Sequence, residues 1–89
     1  MNNNKSEKLE DLLEKAKFYF LNNKYRDAIK EYKKALKIEE ENTEVLYNLG
    51  VAYESANQAE LARETYNLTL KIDPGHKLAK EHIDKMIEK

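Results

Sequence analysis

The chain has 89 residues, of which 40% are hydrophobic and 37% charged, a balance typical of one small helical domain. Its 16 basic and 17 acidic side chains leave a net charge of −1, so the basic surface expected of a nucleic-acid-binding protein is missing. The absence of cysteine excludes disulfides and thiolate chemistry, and no segment has the roughly 20 apolar residues that span a bilayer.

The first residues are polar, and the chain is expected to become helical soon after them. Residues 1–5 offer no apolar anchor, so we expect them to be frayed. Because no apolar run follows Met1, we also expect no signal peptide and a cytoplasmic location. Ser6 is the expected N-cap of a first helix that runs to about Leu21, and acidic residues in its first turn suit the positive end of the helix dipole.

Three more helices follow, separated by short polar turns. The apolar spacing predicts them over residues 25–38, 43–55 and 59–72. Asn23 and Asn57 follow the first and third helices, and asparagine tolerates the left-handed conformation in which helices often end. Asn42 is expected to cap the third helix, and Pro74 ends the fourth because proline cannot donate the next backbone hydrogen bond.

A fifth helix is predicted from Lys77 to about Glu88. One side of it is apolar and the other is charged, as in a helix that packs on one face only. The apolar stripe contains Leu78, Ala79, Ile83, Met86 and Ile87. We expect this helix to cover the apolar end that an array of helices leaves exposed.

Two stretches of the chain repeat each other at a spacing of 34 residues, without a gap. The equivalent pairs are Glu10 and Glu44, Leu12 and Leu46, Tyr19 and Tyr53, Asn23 and Asn57, Ala28 and Ala62, Tyr32 and Tyr66, and Leu36-Lys37-Ile38 with Leu70-Lys71-Ile72. One helical hairpin cannot bury its own apolar faces in water, so each copy is expected to cover the other. The inward positions include Tyr19, Tyr32, Tyr53 and Tyr66, which are predicted to be core residues.

Self-similarity at this period resembles the tetratricopeptide repeat (TPR) family, over Leu9 to His76. The residues at the motif positions are Leu46, Leu49, Gly50, Tyr53, Ala62, Tyr66, Thr69 and Pro74 in the second copy, and Leu12, Ala16, Tyr19, Ala28, Tyr32 and Ala35 in the first. Departures from the family pattern are Lys15, Glu40 and Thr69. The resemblance implies a single all-α domain, an α-solenoid of two helix-turn-helix hairpins (residues 9–42 and 43–76) and a capping helix (residues 77–89), five helices in all.

The resemblance also implies a function, that of a non-catalytic adaptor or scaffold that holds a peptide or helix of a partner protein in a concave groove. The positions expected to face this groove are Glu10, Leu13, Lys17 and Phe20 in the first helix, and Glu44, Tyr47, Val51 and Glu54 in the third, with Asn48 beside them. Leu78 and Lys85, with Glu81 or His82, would close one end. An apolar cluster with a polar rim is typical of a contact site. Leu13 and Phe20 could instead pack against neighbouring helices in the core.

Some TPR proteins clamp the terminal carboxylate of a chaperone tail with lysine, arginine and asparagine side chains. The corresponding positions here are Leu13, Lys17, Asn48, Leu78 and His82, of which only Asn48 matches. Without the paired cations a carboxylate would lose its charge-assisted hydrogen bonds. Chaperone-tail binding is therefore not expected.

Other residue patterns give no sign of chemistry. His76 and His82 are six residues apart and do not share a helical face, so neither a metal site nor another cofactor is predicted. We expect His76 to cap the last helix and His82 to lie at the surface. The glutamates of 39–41 have no histidine, serine or cysteine nearby to act with them, so an enzyme is not expected. The lysines of the second helix, interleaved with Glu31, are expected to form a solvated face.

Two alternative functions remain open at this stage. The same apolar patch could pair two copies of the chain, which would make the protein a self-assembly module. The chain could also be an accessory domain of a catalytic protein. In either case we expect a monomer or weak homodimer, with a protein or peptide as partner rather than nucleic acid or membrane.

Overall fold

The computed structural model describes residues 8–88, and they form five helices. These are α1 (Leu9–Leu21), α2 (Tyr25–Ile38), α3 (Thr43–Ser55), α4 (Ala59–Ile72) and α5 (Lys77–Glu88). No strand occurs in this range, and the predicted all-α repeat fold is confirmed. The predictions for residues 1–5 and for Ser6 lie outside the described residues. Lys8 holds the N-cap position of α1, without a side-chain cap.

Each helix packs most closely on the helices next to it in the chain. The pairs α1–α2 and α3–α4 form two hairpins, α2 also packs on α3, and α5 packs on α4. The helices therefore stack in chain order, with α5 in the position where a third hairpin would place its first helix. This order is that of a helical solenoid.

The turns within the two hairpins have the same geometry. Asn23 and Asn57 are the only residues in the described range, glycines included, with a positive φ, 61° and 63°. The next residue in each turn donates its backbone N–H to a tyrosine carbonyl five positions back: Lys24 to Tyr19 at 2.8 Å, and Gln58 to Tyr53 at 2.9 Å. These bonds satisfy carbonyls that the helix end leaves without partners, and the predicted left-handed helix exits are confirmed.

The starts of α3 and α5 have side-chain caps. The Oδ1 atom of Asn42 accepts from the backbone N–H of Val45 at 3.1 Å, which confirms the predicted cap of α3. The Nδ1 atom of His76 accepts from the N–H of Ala79 at 3.2 Å, and the predicted cap of α5 is confirmed as well.

The core combines small residues where helices approach closely with larger ones between them. Its residues are Leu12, Ala16, Ala28, Ile29, Tyr32, Ala35, Val45, Leu46, Leu49, Ala52, Tyr53, Ala62, Tyr66, Ala79 and Ile83. The largest fully buried side chain is that of Tyr66. Thr69 stands where the family pattern has alanine, and its hydroxyl donates to the carbonyl of Thr65 at 2.9 Å. That bond satisfies the one polar atom that the substitution buries.

Three predictions about burial are wrong. Tyr19 is only half-buried. In the second hairpin one side of α3 packs on α2, but no helix of the described chain packs on the equivalent side of α1. Leu78 and Ile87 are 51% and 70% exposed, so the apolar stripe of α5 is narrower than expected. Glu31 is only 6% exposed, although it lies among the lysines of α2, and its Oε1 is 3.7 Å from Nζ of Lys34.

Candidate functional site

An open groove of about 400 Å³ lies between α1 and α3. Its lining consists of Leu13, Lys17, Phe20, Leu21, Tyr32, Asn42, Glu44, Val45, Asn48 and Val51. We call this surface the concave groove. Leu21, Tyr32, Asn42 and Val45 were not among the residues predicted to face it. The first of these could have been found by spacing, since Leu21 is four residues after Lys17 on the same helix.

Helical spacing brings the two walls of the concave groove together. Leu13, Lys17 and Phe20 follow one another at intervals of four and three residues, so they form one stripe of α1. Glu44, Asn48 and Val51 form the corresponding stripe of α3. The result is an apolar bed of Leu13, Phe20 and Val51 with polar groups around it.

The floor of the concave groove is supplied by the second helix of the first hairpin. The ring of Tyr32 borders the groove from below, and burial raises the pKa of its hydroxyl. Phe20 meets Tyr25 edge to face, with ring centroids 5.3 Å apart and an interplanar angle of 63°. Such a pair fixes the orientation of the Phe20 ring at the mouth of the groove.

In the next half of the concave face, between α3 and α5, side chains occupy the part that corresponds to the centre of the concave groove, and an open space of about 420 Å³ bordered by Glu54 and Met86 remains beside them. Tyr47 and Glu54 of α3, Tyr66 of α4 and His82 of α5 form one hydrogen-bonded group, which we call the His82 cluster. The Glu54 Oε1 atom accepts from the Tyr66 hydroxyl at 2.7 Å and lies 2.9 Å from Nδ1 of His82. The Tyr47 hydroxyl is 3.1 Å from Nε2 of the same ring.

These distances determine the hydrogen-bonding roles in the His82 cluster. A carboxylate only accepts, so Nδ1 of His82 must carry the proton that it shares with Glu54. Nε2 then accepts from the Tyr47 hydroxyl when the ring is neutral and donates to it when the ring carries a second proton. The cluster thus ties α3 to both α4 and α5 through one histidine ring.

Both tyrosine hydroxyls of the cluster have a raised pKa. For Tyr66 the main cause is burial, followed by its hydrogen bond to Glu54 and the charge of that carboxylate. For Tyr47 the main cause is again burial, followed by the negative charges of Glu54 and Glu81. A raised pKa keeps each hydroxyl protonated, so both remain hydrogen-bond donors well above neutral pH.

A glycine in α3 lets the Tyr66 ring reach this cluster. A Cβ atom at Gly50 would lie 2.6 Å from Cε1 of Tyr66, closer than real side-chain carbons approach. The equivalent residue in the first hairpin is Ala16, 34 positions earlier, which packs in the core with Tyr32. The second hairpin therefore admits its tyrosine more deeply than the first.

The structure separates the residues predicted to face the groove. Six of them line the concave groove: Leu13, Lys17, Phe20, Glu44, Asn48 and Val51. Two others, Tyr47 and Glu54, belong to the His82 cluster. Glu10, Leu78, Glu81 and Lys85 are exposed and line neither.

The prediction that His82 lies at the surface is wrong. Its side chain is 28% exposed and contacts three residues of the cluster. The chain contained a signal for this position, because His82 lies 34 residues after Asn48 and thus continues the groove-facing register onto α5. Its ring also packs edge to face on Tyr47, with centroids 5.5 Å apart, and Tyr47 in turn contacts the ring of His76, with centroids 5.2 Å apart.

The described residues offer no site for a metal ion and no membrane span. No group of three or more histidine, cysteine, aspartate or glutamate side chains in residues 8–88 is placed to hold a metal. None of the five helices has the length and apolar character needed to cross a bilayer. Within this part of the chain, the two halves of the concave face remain the main candidates for a functional surface.

Comparison with known families gives two overlapping matches. Residues 16–57 match a family model described as "TPR repeat", and residues 43–76 match one described as "Tetratricopeptide repeat". Together the two matches cover residues 16–76, which contain all of α2, α3 and α4 and the C-terminal part of α1. No curated protein matches the chain.

Proposed function

The chain belongs to the tetratricopeptide repeat family, whose repeats generally mediate protein–protein interaction, and from this we propose that it is a non-catalytic adaptor that binds a short segment of a partner protein in the concave groove. Cytoplasmic location and a scaffold role are parts of the same proposal. The observation that carries it is the open groove between α1 and α3, beside a neighbouring half whose centre is already occupied.

The lining of the groove suits a peptide or one face of a helix. Leu13, Phe20 and Val51 supply an apolar bed on which a hydrophobic side chain can be buried. The amide of Asn48 can both donate to and accept from a peptide backbone, as recognition of an extended segment requires. Lys17 and Glu44 stand on opposite walls and would select a ligand by its charges.

The His82 cluster sets the extent of the proposed site. The Tyr47 hydroxyl and the Oε1 atom of Glu54 are engaged within the protein, because they bond to His82 and, for Glu54, also to Tyr66. A ligand would therefore meet these residues as the end wall of the groove rather than as free binding groups. The proposed segment is accordingly short, in contact with one inter-helix groove only.

A displayed library of random peptides, selected on the whole chain, tests the proposal. A selected peptide should lose about tenfold or more in affinity with Phe20→Ala, because truncating a central aromatic residue removes most of its contact energy. Phe18→Ala is the matched control, since this ring lies two residues away on α1 and is 62% exposed outside the groove. Calorimetric titration of each variant with the peptide measures the difference.

A second variant separates binding from folding, because Phe20 also packs on Tyr25. Lys17 is exposed, so Lys17→Ala should leave the thermal melt unchanged and still alter the affinity for a charged peptide. Its control is Lys30→Ala, which removes the same charge from α2 outside the groove. Equal affinities for all four variants and the parent would overturn the proposal.

A further inference from the structure

Two leucines of α4 are exposed in a way that the repeat does not require. Leu61 and Leu68 are 41% and 43% exposed, and their spacing of seven residues puts them on the same side of the helix. The equivalent positions of α2, 34 residues earlier, are Asp27 and Lys34, both exposed and charged. Since the same position of the repeat accepts charged residues in α2, the leucines serve something other than the core.

The two leucines border a second groove, which runs between α2 and α4 on the side opposite the concave groove. It encloses about 530 Å³. We call it the convex groove, and its lining consists of Lys33, Leu36, Lys37, Leu46, Leu49, Tyr53, Leu61, Glu64, Thr65 and Leu68. The floor belongs to α3, whose residues here are buried. An apolar surface of this kind beside charged rims is a mark of an interaction site.

The charges on the two edges of the convex groove have opposite signs. Lys33 and Lys37, one turn apart, lie on the α2 edge. Glu64 lies on the α4 edge, between the two exposed leucines. The groove thus has a basic edge, an apolar centre and an acidic edge.

We propose that the convex groove is a contact surface between two copies of this chain. A two-fold axis parallel to the groove turns the basic edge of one copy onto the acidic edge of the other. Lys33 and Lys37 of each copy then oppose Glu64 of the other copy, while Leu61 and Leu68 of each lie over the other's groove. Such an isologous arrangement closes at a dimer.

The charge pattern selects this arrangement among the ways in which two such faces can meet. A two-fold axis lying in the face but perpendicular to the groove would set lysine against lysine and glutamate against glutamate, which like-charge repulsion disfavours. The apolar contact extends over about two helical turns, or roughly 10 Å, so the dimer should be weak. No residue lines both the concave and the convex groove, so each copy keeps its concave groove free for a partner.

Sedimentation velocity of the whole chain tests the proposal. From about 10 μM to about 1 mM at low salt the sedimentation coefficient should rise toward that of a dimer, as for other small interfaces. Leu61→Asp and Leu68→Lys each introduce the type of residue that α2 carries at the same place. Each should lower the association constant about tenfold or more, a change of about 1.4 kcal/mol in the free energy of association, and the thermal melts report that the fold is retained.

A charge exchange tests the geometry itself. Glu64→Lys and Lys33→Glu should each weaken association by about threefold, and the double variant should restore it, because the pair is then reversed in both contacts. Phe18→Asp is the matched control, since it charges another exposed apolar residue that lies outside the convex groove. It should leave the association constant unchanged.

Several outcomes would overturn the proposed dimer. A chain that stays monomeric to about 1 mM leaves the convex groove to another protein. Association that is lost with Phe18→Asp, or that survives Leu61→Asp and Leu68→Lys, places the contact elsewhere. A double charge variant as weak as its two parents refutes the two-fold arrangement.

Discussion

The two halves of the concave face are built from equivalent helices but carry different side chains at equivalent positions. Between α1 and α3 the centre of the groove is open, whereas between α3 and α5 the His82 cluster occupies the centre and leaves space only beside Glu54 and Met86. The equivalent residues, 34 positions apart, are Leu13 and Tyr47, Phe20 and Glu54, and Asn48 and His82. Tyr47 and Glu54 replace apolar residues with polar ones, and together with His82 they form hydrogen bonds that join different helices.

This difference shows what the scaffold fixes and what it leaves to side chains. Helix lengths and turns repeat between the two hairpins. Small buried residues such as Ala28 and Ala62 set the spacing between helices. Whether the space above them is open depends on a few positions in the first helix of each pair. The second half thereby holds α5 in place, and the first half stays available to a ligand.

Removal of residues 77–89 should have the largest effect on this comparison, because it opens the second half as well. It takes away the buried contacts of Ala79 and Ile83 and the partner of Tyr47. Two repeats alone fall below the minimum of about three for independent stability. We expect a chain that is largely unfolded or self-associated, as measured by circular dichroism and sedimentation. A monomer that melts cooperatively near the parent temperature would contradict this expectation.

Gly50→Ala should disturb the second half without opening it. The added methyl group would overlap the ring of Tyr66, which is fully buried and bonded to Glu54. Overpacking of this kind costs about 1–3 kcal/mol, and the better helix propensity of alanine returns up to about 1. We expect a net loss of about 1–2 kcal/mol in the free energy of unfolding by urea. Gly75→Ala is the control, because the nearest atom there is 3.7 Å away.

The two equivalent tyrosines allow a direct test of how the halves differ. Tyr66→Phe removes a hydroxyl that donates to Glu54, and should cost about 1 kcal/mol of unfolding free energy. Tyr32→Phe removes the equivalent hydroxyl from the floor of the open groove and should cost less. Equal losses in parallel urea titrations would mean that the His82 cluster adds no stability of its own.

Raising the pH above 10 should lower the free energy of unfolding through the two tyrosines of the His82 cluster. Burial and the charge of Glu54 raise the pKa values of Tyr47 and Tyr66 in the folded protein above the usual tyrosine value of about 10, so the unfolded chain releases these protons first. Their contribution to stability is present below pH 10 and falls as the pH rises above it, by at most about 1.4 kcal/mol per pH unit for one group. Urea titrations from pH 9 to pH 11 should show a smaller decline for Tyr66→Phe than for the parent.

The fold followed closely from the sequence because its signals are local. Asn23, Asn57 and Pro74 mark three helix ends, and Asn42 and His76 mark two helix starts. The period of 34 residues then places every helix relative to its copy. These features depend on few neighbours, so a single chain suffices to read them.

The parts that the sequence did not predict depend on contacts between distant residues. His82 joins Glu54, 28 residues earlier, and no local pattern announces such a bond. Glu31 appears in a lysine-rich stretch and is nevertheless buried, because its position on the helix faces inward. The groove beside Leu61 and Leu68 is lined by residues of α2, α3 and α4 together, and no single helix predicts it.

The matching turns at Asn23 and Asn57 have a consequence for how such a molecule can diversify. Their backbone hydrogen bonds end on main-chain carbonyls, including those of Phe20 and Glu54, so they do not depend on which side chains these residues present to the concave face. The arc of the superhelix is therefore inherited separately from the specificity of its inner surface. New ligands can be acquired by exchanging a few inner side chains, while the curvature stays as it is.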